Sequence, residues 1–254
     1  MDRRSVERPR KDPPKVDDKV VLAEMTRDGL RSAWFTFGII GCIAVVTGVQ
    51  FLTGLERSIG LASVEPVAIR GGEWIRLLTG TYLHGSGYHF IGNITAMRMY
   101  GTILETKVPR ARIALVYLLS CLGGSVASVI TPPDVPSVGA SGGIVGVLGY
   151  LFVQVRRQPK VFPRAFKRVT ASIFTGLIVS GALGFWFIDN AGHAGGALTG
   201  MFIAMLTVDA SESTPPQLDQ PVFDLLGIVA SAIVLVGAAV TVAILLGAVS
   251  AGAF

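Results

Sequence analysis

An all-α bundle of membrane-crossing helices is the fold class that this sequence predicts, on three observations. The 254-residue chain is 51% hydrophobic and only 15% charged, with a mean hydropathy of +0.59, outside the range of ordinary soluble domains. Its apolar residues gather into runs near the ~20-residue length that crosses a ~30 Å hydrocarbon core. Many of its 31 glycines fall inside those runs. There they would weaken a soluble helix, but in a membrane bundle small residues let helices approach closely.

Residues 1–33 are polar, carry Pro13-Pro14 and mixed charges, and cannot bury enough apolar surface to fold alone. They are expected to form a disordered cytoplasmic tail. They do not read as a signal peptide, since no short apolar core follows a basic start. Seven candidate spans follow, at about 34–52, 88–104, 113–130, 138–155, 169–188, 191–208 and 225–251. The first six make a core over 34–208, residues 209–224 a linker, and 225–254 carry the seventh helix. The second and fourth spans are short or Gly-rich and depend on packing within the bundle. Residues 53–87 form a long first loop. Its Trp74, Ile75, Leu77, Leu78, Tyr82 and Leu83 beside charged residues suit a segment lying in the membrane interface.

Orientation follows from Lys and Arg, which concentrate in cytoplasmic loops. With the N-terminus inside, nine fall in the tail, three after span two (Lys107, Arg110, Arg112) and six after span four (Arg156, Arg157, Lys160, Arg164, Lys167, Arg168). Only Arg57, Arg70 and Arg76 fall outside, and Arg98 lies within span two. The 209–224 linker is the exception, with Asp209, Glu212, Asp219, Asp224 and no basic residue. Acidic residues weigh little in this rule, so the N-terminus is expected inside and the C-terminus outside. Because the basic residues sit in patches between spans, the formal charge of +5 does not mark a nucleic-acid binder. Cys42 and Cys121 lie in separate apolar runs and read as small buried hydrophobes. No metal-ligand spacing or disulfide framework is visible, so neither metal nor cofactor is expected.

Polar and ionisable groups inside membrane segments are costly and are functional candidates by default. Spans two, four and six all run from outside to inside. His89 begins span two, Ser141 lies near the start of span four, and His193 begins span six. The three groups therefore share one depth near the outer side, at helix N-termini whose free N–H groups suit a developing oxyanion. His89 and Asn93, four apart, share a helix face. A Ser and a His that meet make a nucleophile and its base. His84, just before span two, reads as a structural loop residue. Glu105, sixteen residues beyond His89 and so about 24 Å further along the helix, lies near the inner face and reads as structural.

The chain resembles the rhomboid family of intramembrane serine proteases, in its six-plus-one form. The resemblance rests on Trp74-Ile-Arg76-Leu-Leu-Thr79, His84, His89-Phe-Ile-Gly-Asn93, Gly101, Glu105, Gly139-Ala-Ser141-Gly142 and Gly192-His193-Ala-Gly-Gly196. It implies a six-helix core plus a seventh helix. It implies Ser141 as nucleophile, His193 as general base and acid, and an oxyanion hole of His89, Asn93 and the Ser141 backbone N–H. It implies transmembrane proteins as substrates and the lipid bilayer as surroundings, with no nucleic acid. The expected location is the plasma membrane of a bacterium, multi-pass. Phe185, Trp186 and Phe187 near the outer end of span five resemble the family's lateral gate. The sequence departs from the pattern where Ile75 separates Trp74 from Arg76, where Val145 replaces an aromatic four residues after the serine, and at Arg98. Asp189 is the only acidic residue close to His193 in sequence, a possible third member of the dyad.

Two other readings compete. Gly139-Ala-Ser141-Gly-Gly143 also fits the nucleophile elbow of α/β-hydrolases, which requires a strand before the serine. A catalytically silent rhomboid-like protein that binds transmembrane helices would typically lack the Ser or the His, and this chain keeps both. No internal repeat supports a transporter.

Overall fold

The computed structural model describes residues 33–162, 164–183, 189–210 and 221–247, together with Arg27. Nearly all of the expected tail, residues 211–220 of the linker and the Phe185-Trp186-Phe187 cluster lie outside them. The described residues are helical, with no strand and one isolated antiparallel bridge between Val64 and Ser137. The elbow reading therefore fails: Ser141 follows a loop, and no strand precedes it.

Among the described residues from 33 onward, ten α-helices follow in order. They are α1 Trp34–Thr53, α2 Leu55–Ala62, α3 Pro66–Arg70, α4 Arg76–Thr79, α5 Gly87–Glu105, α6 Arg112–Ile130, α7 Ser141–Arg157, α8 Arg164–Leu183, α9 Asn190–Thr207 and α10 Pro221–Leu245, with a 3-10 turn at Gly80–Tyr82. The seven long ones overlap in sequence the seven stretches read as spans. By length and composition α1, α6 and α10 are apolar enough to cross a membrane. Helices α5, α7 and α9 carry His89, Asn93, Ser141 and His193, and α7 has only 17 residues.

Helices α6, α7 and α9 form the centre, with α5 on α7 and α1, and α10 on α6 and α1. Glycine makes the centre compact. A Cβ added at Gly196 would fall on the Gly142 carbonyl, and one at Gly200 on the Gly146 carbonyl. On the neighbouring face a Cβ at Gly124 would lie 2.7 Å from the Gly192 carbonyl oxygen. Backbone thus touches backbone, the close approach that small residues permit in membrane bundles.

Several boundaries differ from expectation for local reasons. Helix α7 starts at Ser141 rather than 138, because Gly139 holds φ +134 and donates its N–H to the Gly80 carbonyl at 3.1 Å. Only glycine adopts that conformation freely. Helix α8 begins five residues early, at Arg164. Helix α10 runs from Pro221, placed where proline suits a helix start, and stops before Gly247 at φ +77.

The first loop is less interfacial than its composition suggests. Trp74 is 61% exposed, but Tyr82 and Leu83 are core residues. The Tyr82 hydroxyl donates to the Val234 carbonyl of α10 at 2.8 Å, an acceptor no sequence pattern announces. Short helices order the loop. Glu65 caps α3 by accepting from the Val67 and Ala68 amides at 3.1 and 2.6 Å. Buried Arg76 donates to the Gly60 carbonyl at 3.1 Å and pairs with Glu73 at 2.5 Å.

Two charged residues, Glu105 at the end of α5 and Arg112 at the start of α6, also find structural work. Glu105 accepts from the Phe35 amide (3.1 Å), the Thr36 amide (2.9 Å) and the Thr36 hydroxyl (2.7 Å). It supplies the cap that Ala33 cannot give α1. Arg112, counted above as a loop cation, is 1% exposed and lies 3.8 Å from Asp224 and 5.7 Å from the Phe223 ring centroid. The acidic linker thus brings a carboxylate to a buried cation.

Candidate active site

Ser141 is the first residue of α7, so the amides of its opening turn have no intrahelical acceptor. His193 lies in the first turn of α9, one turn after the N-cap Asp189. The glycine contacts between these helices bring the two side chains together, and the His193 Nε2 to Ser141 Oγ distance is 2.8 Å. The third group of the sequence reading, His89, lies close by. His89, from α5, lies with its ring against Gly139: a Cβ on that glycine would be 2.8 Å from Cε1 and 2.9 Å from Nε2. The Asn93 Nδ2 lies 3.6 Å from the same point. Ser86 starts α5 by accepting from the His89 amide at 3.2 Å.

His84 does more than hold a loop. It is 0% exposed. Its Nε2 lies 3.0 Å from Asn93 Nδ2, and its Nδ1 lies 3.0 Å from the Thr47 hydroxyl. The Thr47 hydroxyl donates to the Tyr82 carbonyl, so it accepts from His84 Nδ1–H. That leaves His84 Nε2 as the acceptor for one Asn93 N–H and frees the second amide hydrogen. The His84 backbone is clamped by Gln50, which donates to its carbonyl and accepts from its amide, both at 2.9 Å. Burial, with the nearby His89 adding to it, pushes the His84 pKa down to about 4, which keeps the neutral tautomer this chain of bonds requires.

Asp189 does not hydrogen-bond the His193 imidazole among the described residues. Its oxygens accept from the Gly192 amide at 2.7 Å and the Ser137 hydroxyl at 2.6 Å. The third-member expectation therefore gives way to a cap. Val145 is buried, and among the described residues no aromatic ring stacks on His193. Arg98 is exposed on α5, away from the buried face that carries Asn93. A cavity of about 20 Å³, room for one water, opens beside the pair, lined among others by Thr81, Cys121, Ser125, Ser137 and Asp189. Sequence reading treated Cys121 as plain packing and passed over Thr47 and Ser137, which carry no spacing signal. Among the described residues no His/Cys/Asp/Glu group has the makings of a metal site.

The fold and this site define a polytopic helical membrane protein with a hydrogen-bonded Ser–His pair at two helix N-termini. The Rhomboid domain model matches residues 71–210, more than half of the chain, and the chain belongs to the rhomboid family. It is an integral membrane protein. It is 37% identical over 156 residues to Rhomboid protease GluP of Bacillus subtilis, covering 60% of this chain and 30% of that one. It is 29% identical over 152 residues to Putative rhomboid protease YdcA of the same organism, covering 58% and 73%. Inactive RHOMBOID-like protein 8 of Arabidopsis thaliana matches at 28% over 125 residues, covering 49% and 35%. The matched stretch spans less than half the length of GluP and of the inactive Arabidopsis relative.

Two predictions follow from the His84–Asn93 link. An oxyanion-donor role for Asn93 predicts that Asn93→Ala lowers kcat about a hundred- to thousand-fold, with a smaller effect on KM. Measuring kcat alongside thermal stability separates this from interhelical glue, which would cost stability and leave turnover in the folded fraction intact. Acid should also destabilise the fold through His84. Its folded pKa lies below the unfolded value of ~6.5, so the unfolded state takes up the proton first. Stability is then lost as pH falls from about 6.5 towards 4, by up to roughly 3 kcal/mol. Thermal midpoints of the wild type and His84→Gln across that window check this, and parallel profiles would refute it.

Proposed function

We propose that this protein is an intramembrane serine endopeptidase that cleaves peptide bonds in or near transmembrane segments of membrane proteins. The observation that carries the reading is the 2.8 Å contact between Ser141 Oγ and His193 Nε2. Ser141 attacks the scissile carbonyl while His193 Nε2 takes its proton. The tetrahedral oxyanion develops beside the Ser141 amide, His89 and the free Asn93 amide hydrogen, at the positive end of α7. Collapse expels the amine, to which His193 returns the proton. Water then enters from the outer side and hydrolyses the acyl-enzyme by the same exchange. Residues of this chain suffice for each step, with no metal or cofactor. Names of relatives such as GluP support the protease reading. The basic-residue count supports an N-terminus in the cytoplasm and a C-terminus outside.

The second reading, a silent helix-binding member, draws on the inactive relative among the matches. It requires a Ser or His that cannot act. Here both are present and in contact.

Purified protein in detergent should cleave a generic transmembrane substrate. Ser141→Ala and His193→Ala should each abolish turnover while remaining folded, since the two act as one unit. A fluorophosphonate should label Ser141 in the wild type. Wild-type turnover in Ser141→Ala would overturn the mechanism, and a folded, unlabelled, inactive wild type would favour the silent reading.

A further inference from the structure

The glycine faces that bring α9 against α7 carry little side chain. They set how close the helices come, but they offer few of the ridges that lock two helices against sliding. The proposed chemistry is sensitive to such sliding, because a misplacement of about 1 Å can cost about a hundred-fold in rate. Something else must fix the axial register of His193 against Ser141.

We infer that Asp189 is a positioning residue for the Ser141–His193 pair, acting through Ser137 as a strap between α9 and the segment that leads into α7. The inference rests on the protease reading above. Asp189 belongs to the same turn as His193. Its carbonyl accepts from the His193 amide at 3.0 Å, and its Oδ1 accepts from the Gly192 amide at 2.7 Å. Its Oδ2 leaves the helix and accepts from the Ser137 hydroxyl at 2.6 Å, within the short range of charge-assisted O–H···O⁻ bonds. Ser137 is itself held. Its amide donates to the Val64 carbonyl and its carbonyl accepts from the Val64 amide, both at 2.9 Å. Two residues later Gly139 is tied to Gly80, and Ser141 follows after another two.

The carboxylate therefore fastens the turn that carries the base to the segment that carries Gly139 and the nucleophile, and the first loop anchors that segment. A helix cap needs only one carboxylate oxygen. The second oxygen spans 52 positions of sequence to reach Ser137. Asp189, Ser137, Ser141 and His193 all line the one small cavity. With both oxygens occupied, Asp189 acts on the imidazole through helix position.

The test uses purified full-length protein with a transmembrane substrate, reading kcat, KM, the rate of fluorophosphonate labelling of Ser141, and Tm. Ser137→Ala removes the strap and keeps the cap. It should lower kcat and the labelling rate about ten- to hundred-fold, with KM and Tm little changed. Asp189→Ala should lower kcat similarly and also lower Tm through the lost cap. The double variant should be no slower than Asp189→Ala, because one link is lost in both. Asp189→Asn keeps an acceptor for Gly192 and an amide able to pair with Ser137, and should restore most of the turnover. Wild-type kcat in Ser137→Ala, or losses that multiply in the double variant, would overturn the strap while leaving the protease reading intact. A wild type that neither labels nor cleaves would sink that reading, and the strap with it.

Discussion

The site depends on one contact, the meeting of α7 and α9 backbones through Gly142, Gly146, Gly196 and Gly200. A serine side chain is short, and an imidazole reaches only a few ångströms from its helix. The two meet only if their helices lie closer than branched side chains allow. The carbonyls of Gly142 and Gly146 occupy the space that a Cβ on Gly196 or Gly200 would need. The same glycines make α7 and α9 poor lipid-facing spans on their own, and both pack at the centre, against each other and against α6.

Around that contact the chain builds a polar frame from elements distant in sequence. Thr47 and Gln50 of α1 hold His84, His84 orients Asn93, and Gly80 and Val64 of the first loop hold the segment before Ser141. Thr47, Gln50, His84 and Asn93 each have a hydrogen-bond partner in this frame, as a low-dielectric interior demands. The loop that looked interfacial by composition is the platform of the candidate site. Its Tyr82 also ties the platform to α10, which gives that helix a structural role in the core.

Much of this was legible before any coordinates. Hydropathy marks α1, α6 and α10 because length and apolarity alone identify such helices. The shared depth of His89, Ser141 and His193 follows from helix parity, which needs only span order. Helical rise alone set Glu105 at the far end of α5 from His89, though its capping of α1 depends on a neighbour seventy positions away. Other features were hidden for the same reason. Ser137 is a single small polar residue with no spacing signal, and its meaning lies wholly in reaching Asp189. Asp189 suggested a triad by proximity, but proximity along a helix cannot say which way a carboxylate points. The start of α7 was misjudged by three residues because an apolar run continues through Val138 and Ala140, whereas the backbone at Gly139 turns the other way.

The central claim is that backbone contact between α7 and α9 creates the reactive geometry of Ser141. Its most direct measurement is the rate of fluorophosphonate labelling of Ser141 in Gly196→Val, made alongside circular dichroism in detergent. The added side chain must push α9 off Gly142, and overpacking of this kind typically costs about 1–3 kcal/mol. The account predicts a protein that keeps its helical content and loses labelling of Ser141 almost entirely. A Gly196→Val protein labelled at the wild-type rate would contradict it, because the serine would then be activated without the contact that brings His193 to it.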